Sequence, residues 1–133
     1  MTALLIVGLL AAAPSPADPA GVLWLHDDSY VSGGTAHAYV DVRCPSGQRH
    51  WTLTVRLTAV QTGRPTATGS TITSDVICDG VAQWHQHPVD VLPDDAPFFA
   101  GHDERDEGVA ELRGPDGALV ATITRRMHFY SWD

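Results

Sequence analysis

Residues 35–44, TAHAYVDVRC, alternate without a break: Ala36, Ala38, Val40, Val42 and Cys44 fall on one parity, and Thr35, His37, Tyr39, Asp41 and Arg43 on the other. Period two sends successive side chains to opposite faces of an extended strand, so one face is buried and one is wet. A helix cannot use this pattern, because its apolar stripe recurs every three to four residues. After the turn Pro45-Ser46-Gly47-Gln48 the pattern returns, with Trp51, Leu53, Val55, Leu57 and Ala59 inward and Thr52, Thr54, Arg56 and Thr58 outward. Two such runs joined by a short turn predict a hairpin.

The remaining chain reads the same way. A strand is predicted at Val22–His26, where Trp24 points opposite to Leu23 and Leu25. A weaker one carries Ile72, Ser74, Val76 and Cys78 on one side. Asp79-Gly80 is a turn signal, and a strand from Val81 leads through Trp84, read as core, into HQHPVDV. Pro88 cannot donate to a ladder, which places that strand at an edge or a bulge. Residues 93–108 are irregular. A short strand near Val109–Leu112, the turn Gly114-Pro115-Asp116-Gly117 and a last strand from Ala118 to Tyr130 complete the set, with Leu119, Ala121, Ile123, Met127 and Phe129 on one parity. No stretch has a helical period. About seven or eight strands predict an all-β fold, an immunoglobulin-like antiparallel sandwich.

The chain of 133 residues, 44% hydrophobic and 18% charged, suits one globular domain. Its net charge of −8 argues against nucleic acid and anionic membranes, whose phosphates require clustered cations. Residues 1–17 read as a secretory signal: an apolar run from Ala3 to Ala13, then small residues Ser15-Pro16-Ala17 offering a cut after Ala17. The run falls short of the roughly 20 apolar residues that span a bilayer. The expected mature domain is 18–133, extracellular and monomeric. Export gives meaning to the two cysteines, Cys44 and Cys78. Within the chain they can pair only with each other. Two free thiols are the alternative, and zinc lacks the usual C-x-x-C spacing.

The run Cys44-Pro45-x-Gly47, Cys78-Asp79-Gly80, Trp84 and Phe98-x-x-Gly101 resembles an uncharacterised group of small secreted actinobacterial β-rich proteins with one such cysteine pair. The likeness covers residues 36–130. It implies an exported sandwich with a Cys44–Cys78 disulfide, and it implies no activity.

Three features could bear function. His85 and His87 share a strand face, so the pair could chelate a transition metal with a further ligand from a neighbouring strand. The simpler reading leaves them solvent-facing on an edge strand. His102-Asp103-Glu104-Arg105-Asp106-Glu107 gathers carboxylates that could hold calcium, but the D-x-D-x-D-G spacing is absent and a solvated acidic loop is the default. Trp24 and Tyr39 on the wet face could stack on a carbohydrate or anchor a protein partner. Catalytic motifs such as G-x-S-x-G and H-E-x-x-H are missing, so no enzyme is expected. The leading expectation is therefore a secreted, non-enzymatic binding module without a cofactor. An extracellular metal-binding protein using His85 and His87, and an inhibitor of secreted hydrolases presenting loop 93–107, are the alternatives.

Overall fold

The computed structural model describes residues 21–132, so the expected leader and its cleavage site lie outside the described residues. Nine strands follow in order: β1 (Val22–Leu25), β2 (Asp28–Ser32), β3 (Thr35–Arg43), β4 (Thr52–Ala59), β5 (Ala67–Thr73), β6 (His85–Val91), β7 (Glu107–Arg113), β8 (Leu119–Arg126) and β9 (His128–Ser131). No helix occurs among the described residues.

The strands form two sheets. In the first, β6 lies along one side of β3, while β1 and β2 share the other side and β9 extends the sheet beyond β2. The second runs β5-β4-β7-β8. The inward residues of β3 and β4 follow the sequence parity: Ala36, Ala38, Val40, Val42, Leu53, Val55 and Leu57 are all buried. They join Leu25, Phe98, Leu112 and Met127 in one core between the sheets. Each large apolar side chain buried there contributes about 1.5–3 kcal/mol relative to exposure. Cys44 and Cys78 form a disulfide with their Cα atoms 4.8 Å apart, tying the end of β3 to the segment between β5 and β6. Arg125 of β8 joins the sheets at another point. It donates to the Leu25 carbonyl at 3.1 Å and lies over the Trp24 ring.

The structure corrects the strand-by-strand expectation in several places. The described residues hold nine strands rather than seven or eight, and β2 pairs with β9 in parallel, so the sheets are not wholly antiparallel. β2 follows β1 after only two residues and escapes a pattern search. The single strand expected over Ala118–Tyr130 divides at Met127 into β8 in one sheet and β9 in the other. The apolar parity runs through Met127 and Phe129 unchanged, so only the hydrogen-bond partners reveal the crossover: Met127 N–H donates to Asp106, and His128 N–H to Asp27.

Ile72, expected on the cysteine side, is 72% exposed, whereas Ala67 and Gly69 of β5 are buried. At Gly69 a Cβ would strike the Leu92 carbonyl, so the close passage of these backbones requires glycine. Leu119 is exposed because β8 is an edge strand. Trp84 is not core either. It precedes β6, stands 47% exposed, and packs beneath the Arg43 guanidinium, 4.3 Å from the ring centroid. Pro88 sits in β6, which among the described residues has its ladder with β3 alone, as an edge strand permits.

Candidate functional site

The outward parity of the first sheet gathers rings. Across the ladders, Tyr130 of β9 stands opposite Tyr30 of β2, Tyr30 opposite His37 of β3, and His37 opposite Asp90 of β6. One row of side chains therefore crosses the sheet from β9 to β6. Tyr39, two residues along β3 from His37, meets Tyr30 edge-on at 6.4 Å between centroids. Beyond β9 the chain stays on the sheet, because Trp132 N–H donates to the Val31 carbonyl at 3.2 Å. That anchor lays the Trp132 indole over the row. It stacks on His37 at 4.6 Å and 19° and on Tyr30 at 5.6 Å and 21°, while 53% of Trp132 remains exposed.

Carboxylates fix the imidazoles among these rings. His37 Nδ1 donates to Asp90 Oδ1 at 2.7 Å, and His26 Nε2 donates to Asp41 Oδ2 at 2.9 Å. The His26 ring meets Tyr39 edge-on. At the other side of the row, His128 approaches Tyr130 and stacks almost parallel on His102, 4.3 Å away. A side chain pinned by two neighbours has little rotamer freedom left to lose when a ligand arrives. The chemistry on offer is flat π-surface interleaved with hydrogen-bonding imidazole, carboxylate and phenol groups.

The sequence-derived candidates fare differently. Tyr39 belongs to this ring cluster. Trp24 is exposed on the same sheet, but the Arg125 guanidinium lies over it, so it serves the junction between sheets. His85 and His87 do share a face, 5.2 Å apart between ring centroids, and it is the inward face. His87 is buried, and its Nε2 accepts a hydrogen bond from Ile77 N–H at 2.9 Å. The lone pair a metal would need is thus occupied, and His85 Nδ1 lies 3.8 Å from Asp79. Among the described residues, no three His, Cys, Asp or Glu side chains converge as a ligand set. In the acidic loop, Arg105 engages Asp103 and holds its carboxyl near 2 through hydrogen bonding. Asp106 accepts from Val60 N–H and Asp103 N–H. Those oxygens are committed within the protein.

Nothing in the sequence pattern joins Tyr30, Tyr130, Trp132 and His37 into a site. His37 and Tyr39 were both recognisable as outward by parity. Tyr30 lay in the unrecognised β2, and Trp132 follows the last strand, where alternation carries no information.

Burial lowers the proton affinity of His87, and the neighbouring His85 adds to the effect. Because the folded-state value lies below the ordinary 6.5, the unfolded chain binds the proton first as pH falls. Stability from this site is therefore fully present above about 6.5 and is lost progressively below it. Wild-type protein is expected to lose more stability between pH 7.5 and 5.5 than His87→Gln, in urea titrations at intervals of half a pH unit. Parallel profiles for the two proteins would refute this role.

No protein-family model matches the chain, and no curated protein sequence does. Among solved structures, a distant likeness is the sporulation control protein Spo0M from Bacillus subtilis, with 18% identity and a TM-score of 0.35, covering 85% of this chain and 49% of that one. The chain spans about half the length of that protein.

Proposed function

We propose that this chain is an exported, non-enzymatic binding module on an immunoglobulin-like sandwich, and that it engages its ligand with the outer face of the first sheet. The observation that carries this reading is the Trp132 indole, laid flat on His37 and Tyr30 with more than half its surface still open. Exposed aromatic area is costly to leave in water unless something covers it, and a contiguous patch of it marks recognition surfaces. Export is supported by the Cys44–Cys78 disulfide, a bond that persists in oxidising compartments. No helix among the described residues is long and apolar enough to cross a membrane.

The metal-binding alternative is weakened by the hydrogen bond that occupies His87 Nε2. The inhibitor alternative needs a projecting loop. In residues 93–107 both Phe98 and Asp106 are buried anchors, and Phe99 is left exposed beneath Arg64.

The test is retention by the insoluble solids of a culture of the producing organism. Wild-type protein is expected to sediment with the solids, and Trp132→Ala to stay in the supernatant while melting at a similar temperature. Equal sedimentation of the two proteins would remove the face from consideration.

A further inference from the structure

We propose that the occupant of this face is an uncharged pyranose chain, with Trp132 as the stacking floor and the imidazole–carboxylate pairs as partners for its hydroxyls. This deepens the binding reading above and rests on it.

Charge narrows the class first. The outward parity of the first sheet carries Asp28, Asp41 and Asp90, and among the described residues the two guanidiniums that reach this face are already engaged, Arg43 over Trp84 and Arg125 over Trp24 with the Leu25 carbonyl. An anionic glycan, a nucleic acid or a phosphorylated ligand would meet three carboxylates, with both guanidiniums already committed to rings within the protein. Geometry narrows it further. Protein partners are held by bulky side chains sunk into desolvated pockets within an apolar centre. Here the described rings lie flat or edge-on along an open sheet and alternate with His and Asp, leaving no aliphatic centre. A sugar ring has the matching form, with an apolar C–H face and a polar rim.

The flat indole of Trp132 can take the C–H face. Around it, the hydroxyl rim meets an acceptor at Asp90 and a donor or acceptor at the second nitrogen of His37, whose Nδ1 is already committed to Asp90, while the His26–Asp41 pair farther along β3 would serve a neighbouring ring. The indole covers Tyr30 and His37, and Tyr130 and Asp90 stand at the two ends of the row, so a chain of sugar rings can pass over the indole between them.

Native gels cast with soluble neutral glucan, galactan, mannan or xylan, and with polygalacturonate as the acidic counterpart, test this directly. Wild-type protein should be retarded by at least one neutral glycan and pass freely through polygalacturonate. Trp132→Ala should bind about tenfold or more weakly, the loss typical of a principal contact residue. Trp132→Phe should recover part of the binding, and Ile72→Ala on the opposite sheet should match wild type. Retardation only by polygalacturonate, or retardation indifferent to Trp132, would overturn the proposal. So would passage through every neutral gel. If binding to culture solids still depended on Trp132 in that last case and was abolished by protease, the partner would be a protein. The binding reading would then stand and the sugar would fall; loss of both would end the two together.

Discussion

Replacing Asp106 by alanine is expected to destabilise the domain by about 2–4 kcal/mol, read as a lowered urea midpoint with an unchanged slope. The carboxylate is 3% exposed and receives two backbone donors, Val60 N–H at 2.7 Å and Asp103 N–H at 3.1 Å. Alanine leaves both donors without their partner, and a stranded donor forfeits its full desolvation cost. Burial raises the affinity of Asp106 for a proton, and the two N–H donors oppose that rise. The two backbone donors therefore do more to hold the carboxylate than any nearby cation. Asp106 also accepts Met127 N–H through its own carbonyl, at the residue where the chain leaves one sheet for the other. A collapsed loop would reach that crossover. Asp106→Asn keeps one acceptor oxygen but turns an amide toward the second donor, so it should fall between wild type and alanine. A loss below about 0.5 kcal/mol in Asp106→Ala would show that water replaces the carboxylate without penalty.

Asp106 also shows where sequence reading stops. In HDERDE the four carboxylates are indistinguishable by composition, and a solvated acidic loop was the natural expectation. The loop is indeed irregular, but one of its acids is a buried clasp for chain 46 residues away. Parity, by contrast, was a sufficient guide wherever a strand lies in the middle of a sheet. β3 and β4 bury their expected residues because each has a partner on both sides and one face against the core. It failed at edges and junctions. Ile72 and Leu119 lie on edge strands, where apolar residues can remain wet, and Trp84 lies before its ladder begins.

The ring-bearing face was legible only in fragments for a related reason. Tyr39 could be assigned outward from its own strand. Tyr30 meets it from β2, a strand too short and too close to β1 to stand out by alternation, and Tyr130 and Trp132 join the cluster through a β2–β9 pairing of residues about 100 apart, which is parallel. Nothing local encodes such a contact. The histidines of HQHP show the converse: alternation correctly put His85 and His87 on one face, but whether that face is wet depends on the register of β6 against β3. His87 opposite Val40 is thereby turned into the protein, where Ile77 N–H meets it.

The Cys44→Ala/Cys78→Ala double variant is expected to lose about 3–4 kcal/mol, which for a domain of this size lowers Tm by roughly 10–20 °C. The bond closes a loop of sequence separation 34, and the loss represents the freedom the unfolded chain regains when that loop opens. Two native contacts near the bridge survive the substitution. Gly80 N–H donates to the Cys44 carbonyl at 2.9 Å, and His87 holds Ile77. They should keep the 74–84 segment docked, so the fold persists and its transition moves to lower temperature. Wild-type protein melted in reductant should behave as the double variant does, and the variant should ignore reductant. If instead the variant melts within a degree or two of wild type, the two surviving contacts already restrain the segment in the unfolded ensemble. A variant that does not fold at all would place the bridge among the requirements for forming the first sheet, since Cys44 lies immediately after β3, the strand that pairs with β1, β2 and β6.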